Sequence, residues 1–161
     1  MKSVVDSNNN SGGTLSYVKS FEIIHPELSF TLTTVSTLPR IVFTPVSTSE
    51  EWVASQRKQQ THSVYAYLML MYHQRESSII GDPSRPDGHG KGILDFANDF
   101  LTVFRGHRLS IDDVNYLDKP LDISNVDYIV ETLGENAHLL IAQISITATK
   151  LILQDTLPGN V

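Results

Sequence analysis

The segment Leu139–Thr149 constrains the fold most strongly, because its apolar and polar residues alternate with a period of two. That period is typical of a β-strand with one buried face. Val126–Leu133 also alternates, and the turn-forming residues Gly134–Asn136 separate the two runs. We therefore predict a hairpin with one wet face. In its second strand the apolar side holds Leu140, Ala142, Ile144, Ile146 and Ala148, and the polar side holds Gln143, Ser145, Thr147 and Thr149.

Three further segments have β character. Thr61–His73 is rich in β-branched and aromatic residues and apolar on both sides, which predicts a strand covered on both faces. Leu28–Leu38 is rich in Thr and also looks extended. Arg40–Val46 follows Pro39 and forms a strand that Pro45 limits to a sheet edge or to its own end.

Ile93–Arg105 is the clearest predicted helix, followed by Gly106 as its stop. For Thr14–Ile24 a short helix is preferred, ending before His25-Pro26. For Ser47–Gln60 two predictions stay open: a short helix with a capping box, or a long hairpin connection. The apolar stripe of the main helix is Ile93, Ala97, Phe100, Leu101 and Phe104.

The length of 161 residues suits one domain. Residues 1–13, eight of them Ser, Asn or Gly, read as a flexible N-terminal arm, and residues 155–161 as a C-terminal tail. Residues 14–154 then form a single α+β domain, a mixed and mostly antiparallel sheet with flanking helices. Gly81–Gly92 and Leu109–Ser124 are its long loops.

Composition excludes several function classes. The chain has no cysteine, which removes disulfides, thiol nucleophiles and cysteine-ligated zinc. A formal net charge of −6 argues against broad electrostatic binding of nucleic acid. The N-terminus lacks the apolar run of a secretory signal, so we expect an intracellular origin. Apolar runs are far shorter than the roughly 20 residues of a membrane helix, so no membrane partner is expected.

Catalytic and cofactor motifs are not found in the sequence. Gly90-Lys91 is followed by Gly92 where a phosphate loop needs Ser or Thr, and none of the six histidines has metal-ligand spacing. Asp95 and Asp99 share a helix face, where paired carboxylates usually form the solvated side. A remote alternative is a small metal-dependent hydrolase that uses Asp87 and His89 together with that pair. We expect no enzyme activity, no cofactor and no metal.

The remaining conspicuous residues are candidates for contact with partner proteins. Trp52 is the single tryptophan, which suits either an interface anchor or a core or half-buried position. The Gly81–Gly92 loop is a mobile or partner-binding connection. The predicted interface residues are Trp52, Arg85, Asp87, His89, Lys91, Asp112, Asp113 and Leu157.

Between residues 12 and 153 the order of segments resembles the tail terminator and tail-completion proteins of long-tailed bacteriophages. GTLSYVKSFEI and LPRIVFTPV come first, and HSVYAYLMLMYH is the long central strand. ILDFANDFLTVFRGHRL is the main helix, and PLDISNVDYIVETL with HLLIAQISITATKLIL is the closing hairpin. The long Gly81–Gly92 loop and the extended tail depart from the pattern.

The resemblance implies a structural protein of the virion, assembled in the cytoplasm of a host bacterium. Its copies would form a ring, expected to be a homohexamer, that caps the head-proximal end of the tail tube. The tube protein and the head-tail connector would be its partners, and DNA would pass through the lumen without specific binding. Another connector, tail tube or baseplate component is the alternative reading.

Overall fold

The computed structural model describes residues 13–24, 38–54, 56–72, 79–81, 90–107, 110–111, 114–115, 117, 119–134 and 137–153. Within these ranges one five-stranded mixed sheet carries a single long helix, so the fold is α+β with mainly β content. The sheet and the domain's antiparallel character are as predicted. The prediction of several flanking helices is not confirmed, because the described residues contain one long helix. The strands are β1 Ser20–Ile23, β2 Arg40–Ala54, β3 Arg57–Tyr72, β4 Ser110–Ile111, β5 Val114–Asn115, β6 Asp122–Gly134 and β7 Ala137–Leu153, and the helix is α1 Ile93–Phe104.

The order of strands in the sheet is β1-β2-β3-β7-β6, with β1 parallel to β2 and the other pairs antiparallel.

The predicted hairpin is confirmed as β6 and β7, which pair from Asp122 opposite Thr147 to Gly134 opposite Ala137. The five residues on the predicted apolar side of β7 all belong to the main hydrophobic cluster. The polar face is interrupted, because Leu139 and Ile141 are buried on that side. The alternation therefore identified the strand and its main buried face correctly.

The main core forms where α1 packs on the sheet. Phe100 and Phe104 stack with ring centroids 4.3 Å apart, and both approach the ring of Phe43 on β2. Ala66, Leu68 and other side chains of the central strands complete the cluster. The helix was predicted as Ile93–Arg105. It begins at Ile93 and ends at Phe104, where Gly106 takes a positive φ of 73°, the conformation that favours glycine at a helix C-terminus.

A second cluster occupies the opposite face of the sheet, with Val42, Met69 and Leu139 at its centre. Tyr67 and Met71 pack against it from β3. The prediction that the Thr61–His73 strand is covered on both faces is therefore confirmed, although β3 starts earlier, at Arg57.

The short helix predicted for Thr14–Ile24 is wrong. Residues 14–17 form a turn, with a hydrogen bond from Val18 N to the carbonyl of Leu15, and β1 follows. The ring of Phe21 lies 5.1 Å from that of Phe43, and the backbone of β1 pairs with β2. This tertiary pairing outweighs the weak helical pattern of the segment.

Two other boundaries also differ from expectation. Ser47–Gln60 contains no helix in its described residues but the tip of a β-hairpin, so the hairpin alternative is correct and the capping box is not formed. Leu109–Ser124 is not loop throughout, since it includes the two-residue strands β4 and β5 and the start of β6. In both segments the backbone pairing depends on residues distant in sequence or across a turn, which local patterns do not reveal. Residues 1–12, 25–37 and 154–161 lie outside the described residues, and with them most of the predicted Leu28–Leu38 strand and the tails.

Candidate assembly surfaces

We call the part of the sheet that packs against α1 the body. Three strands continue beyond the body and form what we call the sheet extension. It comprises residues 47–54 of β2, 57–63 of β3 and 149–153 of β7. β1 pairs with β2 only as far as Phe43, and β6 pairs with β7 only as far as Thr147, so neither reaches the extension. Eight residues of extended strand span about 25 Å, so the extension projects well beyond the core.

Pro45 marks the place where the extension begins. The sequence predicted that this proline restricts β2 to an edge or ends it. The strand does not end there but continues to Ala54, with a register shift between Pro45 and Ser47. Because β1 has already stopped pairing, β2 is an edge strand at this point, where the missing N–H of proline is tolerated. Every residue from Pro45 to Ala54 is exposed.

A continuous set of side-chain contacts lies on one face of the extension. The ammonium of Lys58 lies 4.7 Å from the ring centroid of Trp52 and donates to Glu50 at 3.4 Å. Gln60 Nε2 donates to the other oxygen of Glu50 at 3.1 Å. His62 lies 3.1 Å from Gln60 Oε1 through Nε2 and 3.0 Å from Thr48 Oγ1 through Nδ1. A neutral imidazole protonated on Nε2 satisfies both contacts.

Trp52 is therefore an exposed residue, which excludes the core position that the sequence left open. It is 58% exposed, opposite Lys58 in the hairpin register. Other exposed apolar side chains on the three strands are Val46, Val53 and Leu151. Aromatic residues are enriched at protein interfaces.

A second exposed apolar surface lies on β6, which forms one edge of the described sheet. Tyr128 is 50% and Val130 is 52% exposed, with Ile129 exposed between them. The strand has three acidic residues, Asp122, Asp127 and Glu131, and no basic residue. The sequence analysis did not single out this surface. Its signal is the run Tyr128–Val130, in which three successive apolar residues cannot all face one core.

Lys91 does not join either surface. Its ammonium forms an ion pair with Asp99 and lies 4.8 Å from the ring centroid of Tyr17. The hydroxyl of Tyr17 also donates to Asp99, at 2.8 Å. These contacts attach the N-terminal turn to α1, so the structure gives Lys91 a role in packing within the domain.

The carboxylates considered for catalysis have local structural contacts. Asp95 accepts a hydrogen bond from the backbone N–H of Gly92 at 3.4 Å, at the positive end of the helix dipole. Asp99 is bound by Lys91 and Tyr17, so it is not simply part of a solvated face. No group of three or more potential metal-ligating side chains occurs among the described residues. Arg85, Asp87, His89, Asp112, Asp113 and Leu157 lie outside them.

One pKa shift is resolved among the described residues, on the face of the sheet that carries the second cluster. Tyr65 and Tyr67 are neighbours on β3, with ring centroids 6.1 Å apart. Burial raises the pKa of Tyr67 above its usual 10.0, and the nearby hydroxyl of Tyr65 adds to the effect. Gln143 and Asp127 continue the row across the sheet from Tyr67. The row of Tyr67, Gln143 and Asp127 contains no basic side chain.

Comparison with known proteins adds no family: no protein-family model matches the chain, and no curated protein matches it. Among the described residues, no helix has the length and apolar character needed to cross a membrane.

Proposed function

We propose that this protein is a structural subunit of a bacteriophage neck. In this role it is a tail terminator, whose copies form a ring on the head-proximal end of the tail tube and join it to the head connector. The proposal combines the resemblance of the sequence with one structural observation. That observation is the sheet extension, which carries Trp52 on strands that have left the core.

The extension supports an assembly role on energetic grounds. Its strands bury little apolar surface within the chain, yet it exposes Trp52, Val53 and Leu151 to water. Burying such side chains against a partner contributes about 25 cal/mol per Å² of apolar surface. Contact with a neighbouring subunit therefore stabilises such a surface more than packing within the monomer does.

The mechanism of a terminator is geometric, and the negative net charge of the chain is compatible with it. A ring ends tube growth when one face matches the last tube ring and the other face does not. DNA must pass through the ring without being held. A net charge of −6 on each copy disfavours phosphate binding, and the row of Tyr67, Gln143 and Asp127 lacks basic side chains.

The test is the assembly state of the purified full chain. We expect sedimentation velocity to show a closed oligomer whose population rises with protein concentration, and negative-stain images to show rings with a central hole. A protein that stays monomeric over the whole accessible concentration range, with no rings in the images, would contradict the proposal.

A further inference from the structure

We propose that, in the assembly, the sheet extension of one copy lies across the outer side of β6 of the next copy. The inference rests on the proposed function, since it assigns the two surfaces by which copies of that assembly meet. The occupant of each surface is thus a second copy of this chain, and the contact is head-to-tail.

The first argument is the distance between the two surfaces in one chain. Tyr128 on β6 pairs with Ala142 of β7, whereas Lys58 in the extension pairs with Ile152. Ten residues of β7 separate these positions, which is about 33 Å of extended strand. The extension therefore cannot reach β6 of its own chain, and the two exposed apolar surfaces can cover one another only between copies.

The second argument is charge complementarity. β6 carries three acidic residues and no basic one. The tip of the extension begins β3 with Arg57 and Lys58, and Lys150 lies in its β7 segment. Against these, the extension holds the two acidic residues Glu50 and Glu51. Opposite charges favour contact of the extension with β6, whereas contact between two β6 edges would bring like charges together.

The third argument is chemical similarity at the centre of the two surfaces. Trp52 lies at the end of the extension with the ammonium of Lys58 over its ring. Tyr128 and Val130 are the apolar residues on β6 that α1 leaves exposed. Trp and Tyr are enriched among the residues that contribute most binding energy at protein interfaces. The Trp52 ring would then pack on Tyr128 and Val130, which share one face of β6. Arg57 alternates with Lys58 along β3, so it would approach Asp127 and Glu131 on the other face.

A contact between two different surfaces has a consequence for symmetry. Repeated head-to-tail contact generates a ring when the rotation closes, whereas a contact of one surface with itself stops at a dimer. The pairing of the extension with β6 therefore gives a physical route to the ring.

The experiment uses two variants of the full chain, each damaged on one surface. The extension variant is Trp52→Ala/Lys58→Glu, and the β6 variant is Asp127→Lys/Glu131→Lys. Matched controls change charge at exposed positions outside both surfaces, Lys119→Glu in a loop and Asn98→Lys on α1. Assembly is followed by mass photometry and sedimentation velocity, and folding by circular dichroism.

Each damaged variant should require at least a tenfold higher concentration for half-assembly than the wild type, because loss of a central aromatic or charged contact is costly. The controls should assemble as the wild type does. An equimolar mixture of the two variants should yield a 1:1 heterodimer without rings, since one intact extension and one intact β6 remain. Formation of this heterodimer also establishes that both variants are folded.

Two results would overturn the inference while leaving the proposed function standing. One is that the wild type forms rings and both damaged variants assemble as well as the wild type does. The other is that the β6 variant does not assemble, either alone or in the mixture, while the extension variant assembles normally. That result is expected if β6 of one copy pairs with β6 of another. A wild type that never assembles would instead count against the proposed function.

Discussion

The body and the sheet extension share the three strands β2, β3 and β7 but are stabilised differently. In the body, β2 contributes Ile41, Val42 and Phe43, each nearly or fully buried. A few residues later the same strand reads Ser-Thr-Ser-Glu-Glu, and all of it is exposed. The body is stabilised by burial under α1, whereas the extension relies on its backbone ladder and cross-strand pairs such as Glu50 with Gln60 and Lys58. Strand length and core size are therefore separate properties of this sheet.

The largest expected difference between the two regions comes from removing an aromatic ring. Phe100→Ala should lower the free energy of unfolding by about 3–5 kcal/mol, because a fully buried ring stacked on Phe104 leaves a cavity. Trp52→Ala should cost less than about 1 kcal/mol in the monomer, since the lost contact is an exposed one with Lys58. Urea denaturation below the assembly concentration measures both. Equal losses would remove the distinction between body and extension.

The next largest effect is expected at the glycines before the helix. A Cβ on Gly92 would lie 2.3 Å from the carbonyl oxygen of Ile79, and one on Gly81 would lie 2.3 Å from that of Gly90. Gly92→Ala and Gly81→Ala should each destabilise the body by about 2–4 kcal/mol, as expected for forced overpacking or strain. Thermal unfolding measures the change.

Gly106→Ala is the matched control for Gly81→Ala, because both glycines have a positive φ. Gly106 also has a positive φ, yet a Cβ there would meet nothing within 4 Å. Its cost should be about 1 kcal/mol, from the backbone conformation alone. If Gly106→Ala were as damaging as Gly81→Ala, the close approach of the two backbone segments would not be the cause.

A smaller effect is expected at the ion pair between β1 and β2. The side chain of Arg40 is 8% exposed and pairs with Glu22, which is 44% exposed. Glu22→Gln should cost about 1–2 kcal/mol, because it leaves a buried guanidinium with a weaker acceptor. Arg40→Met should lower the free energy of unfolding by no more than Glu22→Gln does. It removes the buried positive charge, so no group is left that needs Glu22 as its partner. Denaturant midpoints of the two variants decide the order, and the reverse order would contradict this account.

The smallest effect is expected within the extension itself. Glu50→Gln removes the charge that Lys58 contacts at 3.4 Å but keeps an acceptor for Gln60. Its cost should be near 0.5 kcal/mol or less and should vanish in high salt, as for other exposed pairs. Chemical denaturation at low and high ionic strength provides the measurement. A salt-independent loss above about 1 kcal/mol would show that the extension is stabilised much as the body is.

Periodicity predicted much of the body and little of the assembly surfaces. Alternation in β7 and the stripe of α1 identified both elements and most of the residues they bury. The helical stripe omitted Phe96, which is fully buried, and included Leu101, which is only partly buried. Trp52 could be singled out as unusual, but its exposure depends on where β1 stops pairing with β2, which no local pattern encodes. Tyr128 and Val130 have the pattern of core residues, and they are exposed because α1 packs over the central strands instead.

The sequence by itself determined the strand and helix periods, the absence of thiol chemistry and the negative charge. These properties depend on residue type and on spacing along the chain, so they can be read locally. Tertiary structure alone decided that Ser20–Ile23 is a strand, that β2 continues past Pro45 and that three strands project from the core. Those outcomes depend on which distant segments pair and where each pairing ends. That is settled by the free energy of the whole sheet and its packing, because a backbone N–H or C=O finds its partner wherever the fold provides one.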